Sequence, residues 1–359
     1  MNKNTLHIVH THPRNLGGVA NHYRGLKDYW PIPITTSLIG SRFGISGVFF
    51  FCYDLISLIT RSRTSNAVLL NPSMQKKAFW RDYLLLLTLI GLNKRVVVFF
   101  HGWDMDFARK VLKNRRVIKA FGRCKIITLA SCFKQQLEEH GINKVYTATT
   151  KYDEKLLKYQ KKQKRFDQFV ILFTGRLVKS KGVQKILEAV AGSDHREEFK
   201  IIVAGDGAYK NELIRLTDVL RITDLVEFAG YVRDDELANL YRNSDLYVLA
   251  TSHNEGMPTT ILEALAFGLP IISTNVGGIT DIISDGRNGF IVDKSVDCLE
   301  LRRKIEFLYL NRPVSLKIRQ ANLELAEEFS ASNVARKLVE IIFERDSKLG
   351  KEGECVPGN

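Results

Sequence analysis

The chain is sparing with cysteine, has no long apolar run and carries little acid in its first half, and each shortage excludes something. The five cysteines, Cys52, Cys124, Cys132, Cys298 and Cys355, are odd in number, scattered and without a CxxC pair. A disulfide framework or thiolate metal site needs regular spacing, so these read as free thiols in a reducing compartment. The most apolar stretches, Val48 to Ile59 and Tyr83 to Leu92, are broken by polar residues and fall short of the roughly 20 apolar residues that span a bilayer. The chain runs directly into the strand-like Leu6-His7-Ile8-Val9-His10, so no signal peptide is expected. With 45% hydrophobic and 26% charged residues, the composition is globular and long disorder is excluded.

The shortage of acid is local. Residues 1–165 hold 29 Lys and Arg against 9 Asp and Glu, a net +20, whereas the remainder holds 24 against 30, a net −6. A basic first half facing something anionic is expected: nucleic acid, an anionic membrane surface or a phosphate-bearing substrate.

What is present is a repeated alternation of strands and helices. Strands are expected at Leu6–His10, Ala67–Asn71, Arg95–Phe100, Lys125–Leu129 and Lys144–Thr149. A polar, basic connection at 156–168 precedes a second series at Phe169–Thr174, Lys200–Ala204, Leu225–Gly230, Leu246–Ala250, Pro270–Thr274 and Gly289–Val292. Short strands alternating with helices build parallel sheets covered on both faces. The division expected is a first Rossmann-like domain at 1–155, a linker at 156–168 and a second at 169–330. A C-terminal helix at 331–347, packing back toward the first domain, and a tail at 348–359 complete it.

Between Val96-Val97-Val98-Phe99-Phe100 and the following helix lies His101-Gly102-Trp103-Asp104. Residues just beyond the carboxyl ends of parallel strands line ligand crevices, which favours a functional His101. Asp104-Met105-Asp106 has the spacing of a cation-holding pair, but capping of the next helix is favoured over metal binding. That helix, expected from Phe107 to Phe121, carries six basic residues beside an apolar stripe and suits either an anionic membrane or plain solvent.

The densest chemistry is His253-Asn254-Glu255-Gly256-Met257-Pro258-Thr259-Thr260-Ile261-Leu262-Glu263, a polar loop entering a helix at Pro258. Two carboxylates thus flank a helix N-terminus, where backbone N–H groups suit phosphate and carboxylates suit sugar hydroxyls. Ahead of it, Gly175-Arg176-Leu177-Val178-Lys179-Ser180-Lys181-Gly182 places Arg176 and Lys181 at a strand terminus, a forked and a mobile cation for a diphosphate. Gly205-Asp206-Gly207 and Tyr231-Val232-Arg233 follow further strands, as do Gly277-Gly278-Ile279 and Asp285-Gly286-Arg287-Asn288-Gly289.

As an ordered set, G-R-L-x3-K-G, G-D-G, E-x7-E, G-G-I-x-D-I-I and D-G-R-N-G-F-I-V resemble glycosyltransferase family 4, the retaining "group 1" nucleotide-sugar transferases. The resemblance covers most of the second half. In the first half it extends only to Gly17-Gly18 and His101. It implies the GT-B fold, an α/β architecture of two Rossmann-like α/β/α domains facing across a cleft. It assigns catalytic roles to Arg176, Lys181, Glu255 and His101. Substrate contacts are implied for Gly17, Gly18, Gly205, Asp206, Tyr231, Val232, Arg233, Gly256, Met257, Pro258, Thr259 and Glu263. Glu263 would hold ribose hydroxyls, Glu255 hydroxyls of the transferred sugar, and Arg176 with Lys181 the donor diphosphate. No metal and no cofactor beyond the nucleotide-sugar co-substrate are implied.

The expectation is therefore a hexosyltransferase, with UDP-sugars favoured, working on a lipid-linked surface glycan. It would be a cytoplasmic enzyme, peripheral on the inner face of the membrane through its basic half. The same chemistry on a soluble acceptor is the first alternative. A basic nucleic-acid-binding protein is the second, although no nucleic-acid motif is present and the second-half motifs would go unexplained.

Overall fold

The computed structural model describes residues 4–11, 18–39, 47–76, 78–159, 167–253, 255–293, 295 and 297–344. The chain divides into two compact units: residues 1–128, 136–148 and 334–359 form one, residues 129–135 and 149–333 the other.

The first unit is built on β1 (Leu6–Thr11), β2 (Ile34–Ile39), β3 (Ala67–Leu70), β4 (Ser73–Met74), β5 (Val96–Phe100), β6 (Gly102–Trp103), β7 (Lys125–Thr128) and β8 (Val145–Thr147). Six of these pair in parallel in the order β2-β1-β3-β5-β7-β8, while β4 and β6 make a separate two-stranded ladder. β3, β5 and β7 are buried along their whole length. That is why they are continuous apolar runs in sequence: a parallel strand has helices on both faces. β2 is the exception, an edge strand whose Ile34-Thr35-Thr36-Ser37-Leu38-Ile39 leaves Thr35, Thr36 and Leu38 exposed to solvent. It lacks the apolar density that marked the central strands.

The crossovers carry α1 (Gly18–Leu26), α2 (Gly47–Arg61), α3 (Phe79–Gly91), α4 (Met105–Val111), α5 (Arg115–Phe121) and α6 (Ser131–Glu138). The single helix expected from 107 to 121 is two helices of seven residues. Asn114 adopts an extended backbone and its side-chain oxygen accepts from the Arg116 N–H at 2.9 Å, so it ends one helix and caps the next. Asp104 likewise caps α4, accepting from Asp106 and Phe107 N–H groups at 3.1 and 2.9 Å. Its carboxylate is occupied as a cap, and Asp106 pairs with Arg109 at 3.2 Å.

The second unit contains α7 (Lys155–Lys158), β9 (Phe169–Thr174), α8 (Val183–Ala191), β10 (Phe199–Ala204), α9 (Lys210–Leu220), β11 (Val226–Gly230) and α10 (Asp234–Arg242). It continues with β12 (Leu246–Leu249), α11 (Thr259–Ala266), β13 (Ile271–Thr274), β14 (Phe290–Val292), α12 (Cys298–Leu310) and α13 (Arg312–Ala326). Its parallel sheet runs β11-β10-β9-β12-β13-β14. The order reverses direction beside β9, so the turns after β9 and β12 open at a topological switch point, where ligands of such sheets bind.

The last helix, α14 (Ala331–Phe343), ends against β7 of the first unit. Lys125 Nζ donates to the carbonyls of Ile341 and Glu344 at 2.9 and 2.8 Å. Terminal carbonyls of a helix have no intrahelical donor, and a cation there also suits the dipole. Among the described residues no helix is long and apolar enough to cross a membrane.

Candidate functional site

The turns after β9, β10 and β11 are laced to one another. Gly175 N–H donates to the Ala204 carbonyl at 2.9 Å, Leu177 N–H to Asp206 at 2.9 Å, and Gly205 N–H to Gly230 at 2.7 Å. Arg176 projects from this rim and is exposed. Asp206 is exposed as well, with its carboxylate accepting from the Gly207 N–H at 2.8 Å. Beyond the third turn, Tyr231 is 71% exposed. The Arg233 guanidinium stands 6.0 Å from its ring centroid, so this corner offers an open aromatic face beside a cation. Val232 between them is half-buried.

Lys181 and Glu255 meet from different turns. Lys181 Nζ donates to Glu255 Oε1 at 2.5 Å, and the two side chains are only 17% and 13% exposed. Thr251 Oγ1 donates to the same carboxylate oxygen at 3.3 Å. The main chain under Glu255 is fixed by the Gly277-Gly278 turn. Gly278 N–H donates to the Glu255 carbonyl at 3.0 Å. A Cβ on Gly277 would lie 1.7 Å from that carbonyl oxygen, and Gly277 has φ +57. A Cβ on Gly278 would lie 2.1 Å from the Gly256 carbonyl oxygen. Only glycine lets these two backbones come so close.

Gly256 and Met257 are half-buried, Pro258 is buried, and α11 begins at Thr259. Pro258 holds the N-cap position at φ −69 and ψ 114 with no side-chain cap, so the first-turn N–H groups stay open to a ligand. One turn further, Glu263 Oε2 accepts from the Tyr241 hydroxyl at 2.8 Å. That hydroxyl lies 2.9 Å from Thr174 Oγ1, and the ring stacks on Phe267 at 5.3 Å. Neighbouring Tyr247 donates to Thr260 Oγ1 at 2.7 Å. Burial pushes the Glu263 carboxyl up to about 7, against the Tyr241 hydrogen bond, which favours the charged form; Asp153 adds to the rise and Lys151 opposes it. Burial also pulls the Lys151 ammonium down, with Asp153 and Glu263 holding it up.

In the first unit, His101 closes β5 and its Nε2 lies 3.1 Å from Asn71 Oδ1. Asn71 Nδ2 donates to the Val9 carbonyl at 2.9 Å and Oδ1 accepts from the Tyr23 hydroxyl at 2.6 Å. The amide orientation therefore makes Oδ1 the acceptor and His101 Nε2–H the donor, leaving Nδ1 as a lone-pair site. Burial lowers the ring to about 3, so the imidazole is neutral at ordinary pH. Gly18 opens α1 and is exposed, while Gly17 lies outside the described residues.

Sequence reasoning grouped Arg176, Lys181, Glu255 and Glu263 but missed the residues that hold them. Tyr241 lies 22 residues from the Glu263 it binds, Thr251 is a plain hydroxyl at a strand end with no pattern to mark it, and Lys151 sits at a strand-free connection. Asn71 alone carried a signal, as a polar residue closing an apolar strand. No group of three His, Cys, Asp or Glu side chains among the described residues could hold a metal ion.

Residues 155–324 match the family model described as "Glycosyl transferases group 1". The chain is similar in fold to Anabaena Alr3699/HepE solved in complex with UDP: TM-score 0.74, 15% identity, 94% of this chain and 98% of that one. WaaG, a glycosyltransferase involved in lipopolysaccharide biosynthesis, superposes with TM-score 0.61 at 14% identity over 95% of this chain and 100% of that one. The fold is GT-B. Both GT-B units are accounted for by these structures, whereas the family model covers the motif-bearing one. Among sequence relatives, an uncharacterized glycosyltransferase of Methanocaldococcus jannaschii is 24% identical over 249 residues, 65% of this chain and 63% of that protein. A second from the same organism is 27% identical over 236 residues, 65% and 64% of the two chains. The match thus spans a little under two thirds of each relative's length. D-inositol 3-phosphate glycosyltransferase of Paenarthrobacter aurescens is 36% identical over 134 residues, 36% of this chain and 33% of that protein.

Proposed function

We propose that this GT-B protein is a retaining, metal-independent glycosyltransferase. It moves a hexose-type sugar from a nucleotide sugar, a UDP-sugar by preference, to a lipid-linked surface-glycan intermediate. It works in the cytoplasm on the inner face of the membrane. One observation carries the reading: two carboxylates held in different ways flank the uncapped start of α11. Glu255 is held by a cation at 2.5 Å, and Glu263 is a desolvated carboxyl fixed by a tyrosine. Neither arrangement is that of an acid–base pair sharing one bond; both suit hydroxyl recognition around a phosphate.

In this reading Glu263 accepts ribose hydroxyls and Glu255 those of the transferred sugar. Backbone groups of Gly256 to Thr259 face the sugar and phosphates, and Gly205, Asp206, Tyr231, Val232 and Arg233 serve the nucleoside. Arg176 forks the diphosphate while Lys181 shifts from its carboxylate toward it. Both cations stabilise the charge that develops as the anomeric C–O bond to phosphate breaks. The acceptor oxygen bonds to the anomeric carbon on the same face and its proton passes to the departing phosphate oxygen. His101, neutral and with Nδ1 as acceptor, is assigned to a sugar hydroxyl. UDP bound to HepE supports the donor preference.

The test is transfer by Glu263→Ala and Arg176→Ala with a chelator present. Both variants are expected to lose at least tenfold while the wild type keeps its rate. Full activity of either variant, or loss of wild-type activity on chelation, overturns the assignment. A thermal-shift screen of UDP-, GDP- and ADP-sugars fixes the donor, since a ligand of the folded state raises its stability.

A further inference from the structure

α3 is an inverted surface helix. Trp80, Leu84 and Leu87 follow one another at i, i+4 and i+7 and are 50%, 53% and 40% exposed. Gly91 extends the line, and Leu92 just past the helix is 46% exposed. At 100° per residue these helical positions fall within a stripe about 60° wide at the solvent-facing centre, where a surface helix normally carries its charges. The only ionic residues of α3 are Arg81 and Asp82, which pair with each other at 2.6 Å, with Asp82 buried. No charge interrupts the stripe.

Its neighbours are cationic. α3 packs on α4 and α5 through Phe79, whose ring lies 5.6 Å from Phe107 and 6.3 Å from Phe121. From Asp104 to Arg123 the surface presents Arg109, Lys110, Lys113, Arg115, Arg116, Lys119 and Arg123, all exposed, against two acids. One of those acids, Asp106, is taken by Arg109. Arg116 acts on the Tyr83 phenol, which flanks the stripe. The strand order carries the β2–β3, β3–β5 and β5–β7 crossovers in one direction along the sheet. Right-handed connections then put α2, α3, α4 and α5 on one face. On α2, Tyr53 and Ile56 add exposures of 56% and 62% to that face.

We propose that this face docks on an anionic phospholipid bilayer, with the Trp80–Leu84–Leu87 stripe of α3 entering the headgroup region and the cations of α4 and α5 resting on the phosphates. The inserting element is thus α3, and the basic helices serve as its electrostatic flank. Charge complementarity selects a lipid surface over a second copy of the chain, whose matching face would bring the same cations together. A tryptophan at the edge of an uncharged leucine stripe is the side chain that favours a membrane interface. Each Lys or Arg near an anionic surface strengthens partition about fivefold. The inference deepens the lipid-linked acceptor reading and rests on it.

The full chain is sedimented with vesicles of 30% phosphatidylglycerol in phosphatidylcholine at low salt. Wild type is expected to bind, and Leu84→Glu with Leu87→Glu to lose binding at least tenfold while melting as the wild type does, since both sites are exposed. Brominated lipid should quench tryptophan fluorescence in the wild type and not in Trp80→Phe. Arg115→Gln with Arg116→Gln should weaken binding and flatten its salt dependence. Wild-type binding that survives the Leu84/Leu87 change, or quenching that persists in Trp80→Phe, overturns the proposal. So does a concentration-dependent dimer abolished by those glutamates in a protein that ignores vesicles. Release of nucleotide in solution from the UDP-, GDP- and ADP-sugars of the thermal-shift screen separates the two claims. Its retention without vesicle binding sinks the docking face alone, and its absence beside intact vesicle binding sinks the transferase reading alone.

Discussion

Replacing Glu263 by glutamine should stabilise the protein by an amount that grows as pH rises to neutrality. The carboxyl rises from 4.5 to about 7 on folding because burial disfavours its charge. Between those values the folded state holds a proton that the unfolded chain has released, so stability falls as pH climbs through the window and levels off above it. A rise of that size corresponds to about 3 kcal/mol. Glutamine keeps the volume and an oxygen for the Tyr241 hydroxyl but has no charge to desolvate. The difference in stability, Glu263→Gln minus wild type, should be flat below pH 4.5, grow by about 3 kcal/mol up to pH 7, then stay constant. The difference is the quantity to follow because buried histidines titrate in the opposite sense. His7 and His101 are lowered by burial to about 4 and about 3, so their contribution is lost as pH falls. Calorimetry at half-unit pH steps gives the curve, with roughly 2 °C or more in Tm per kcal/mol for a unit of this size. A difference that stays level from pH 4.5 to 7 refutes the reasoning. The same shift predicts proton release when a nucleotide sugar draws Glu263 into its charged form near pH 6, seen as a buffer-dependent binding enthalpy.

Gly277→Ala should cost more than about 3 kcal/mol, because a left-handed φ of +57 is combined with a Cβ 1.7 Å from the Glu255 oxygen. Gly286→Ala, with φ +74 and open space, should cost only the strain of about 1–2 kcal/mol; equal losses in Tm would contradict this. Asn71→Asp sets a carboxylate beside His101 Nε2 and should raise the imidazole from about 3, read by NMR titration of that ring; an unmoved ring is the contrary result. Lys125→Met removes the donor from two terminal carbonyls of α14 and should lower stability by about 1–3 kcal/mol, with faster amide exchange confined to that helix.

The sequence was most legible where the physics is local. β9 has the expected bounds, and the other central strands agree within one or two residues at their ends, because a strand buried on both faces must be an apolar run. β2 escaped notice because an edge strand can carry Thr35, Thr36 and Ser37. The two-residue ladder of β4 and β6 has no pattern to read. The helix expected from 107 to 121 was misjudged because periodicity cannot see Asn114 leave the helical backbone. At the site, glycines and charges announced the turns, but the tyrosine that fixes Glu263 is 22 residues away. Its partnership is a product of packing.

The ion pair between Lys181 and Glu255 has a bearing on discrimination among anions. A bare ammonium in a half-buried turn would condense any phosphate from solution. Here the cation already has an internal counter-ion, so an incoming anion must displace a carboxylate as well as neutralise a charge. A sugar diphosphate can do both, giving the lysine its oxygens and the displaced carboxylate its hydroxyls. Inorganic phosphate offers only the first exchange. On the proposed donor-site reading the pair works as an ion-exchange gate, and donor affinity should vary less steeply with added salt than the count of nearby cations suggests.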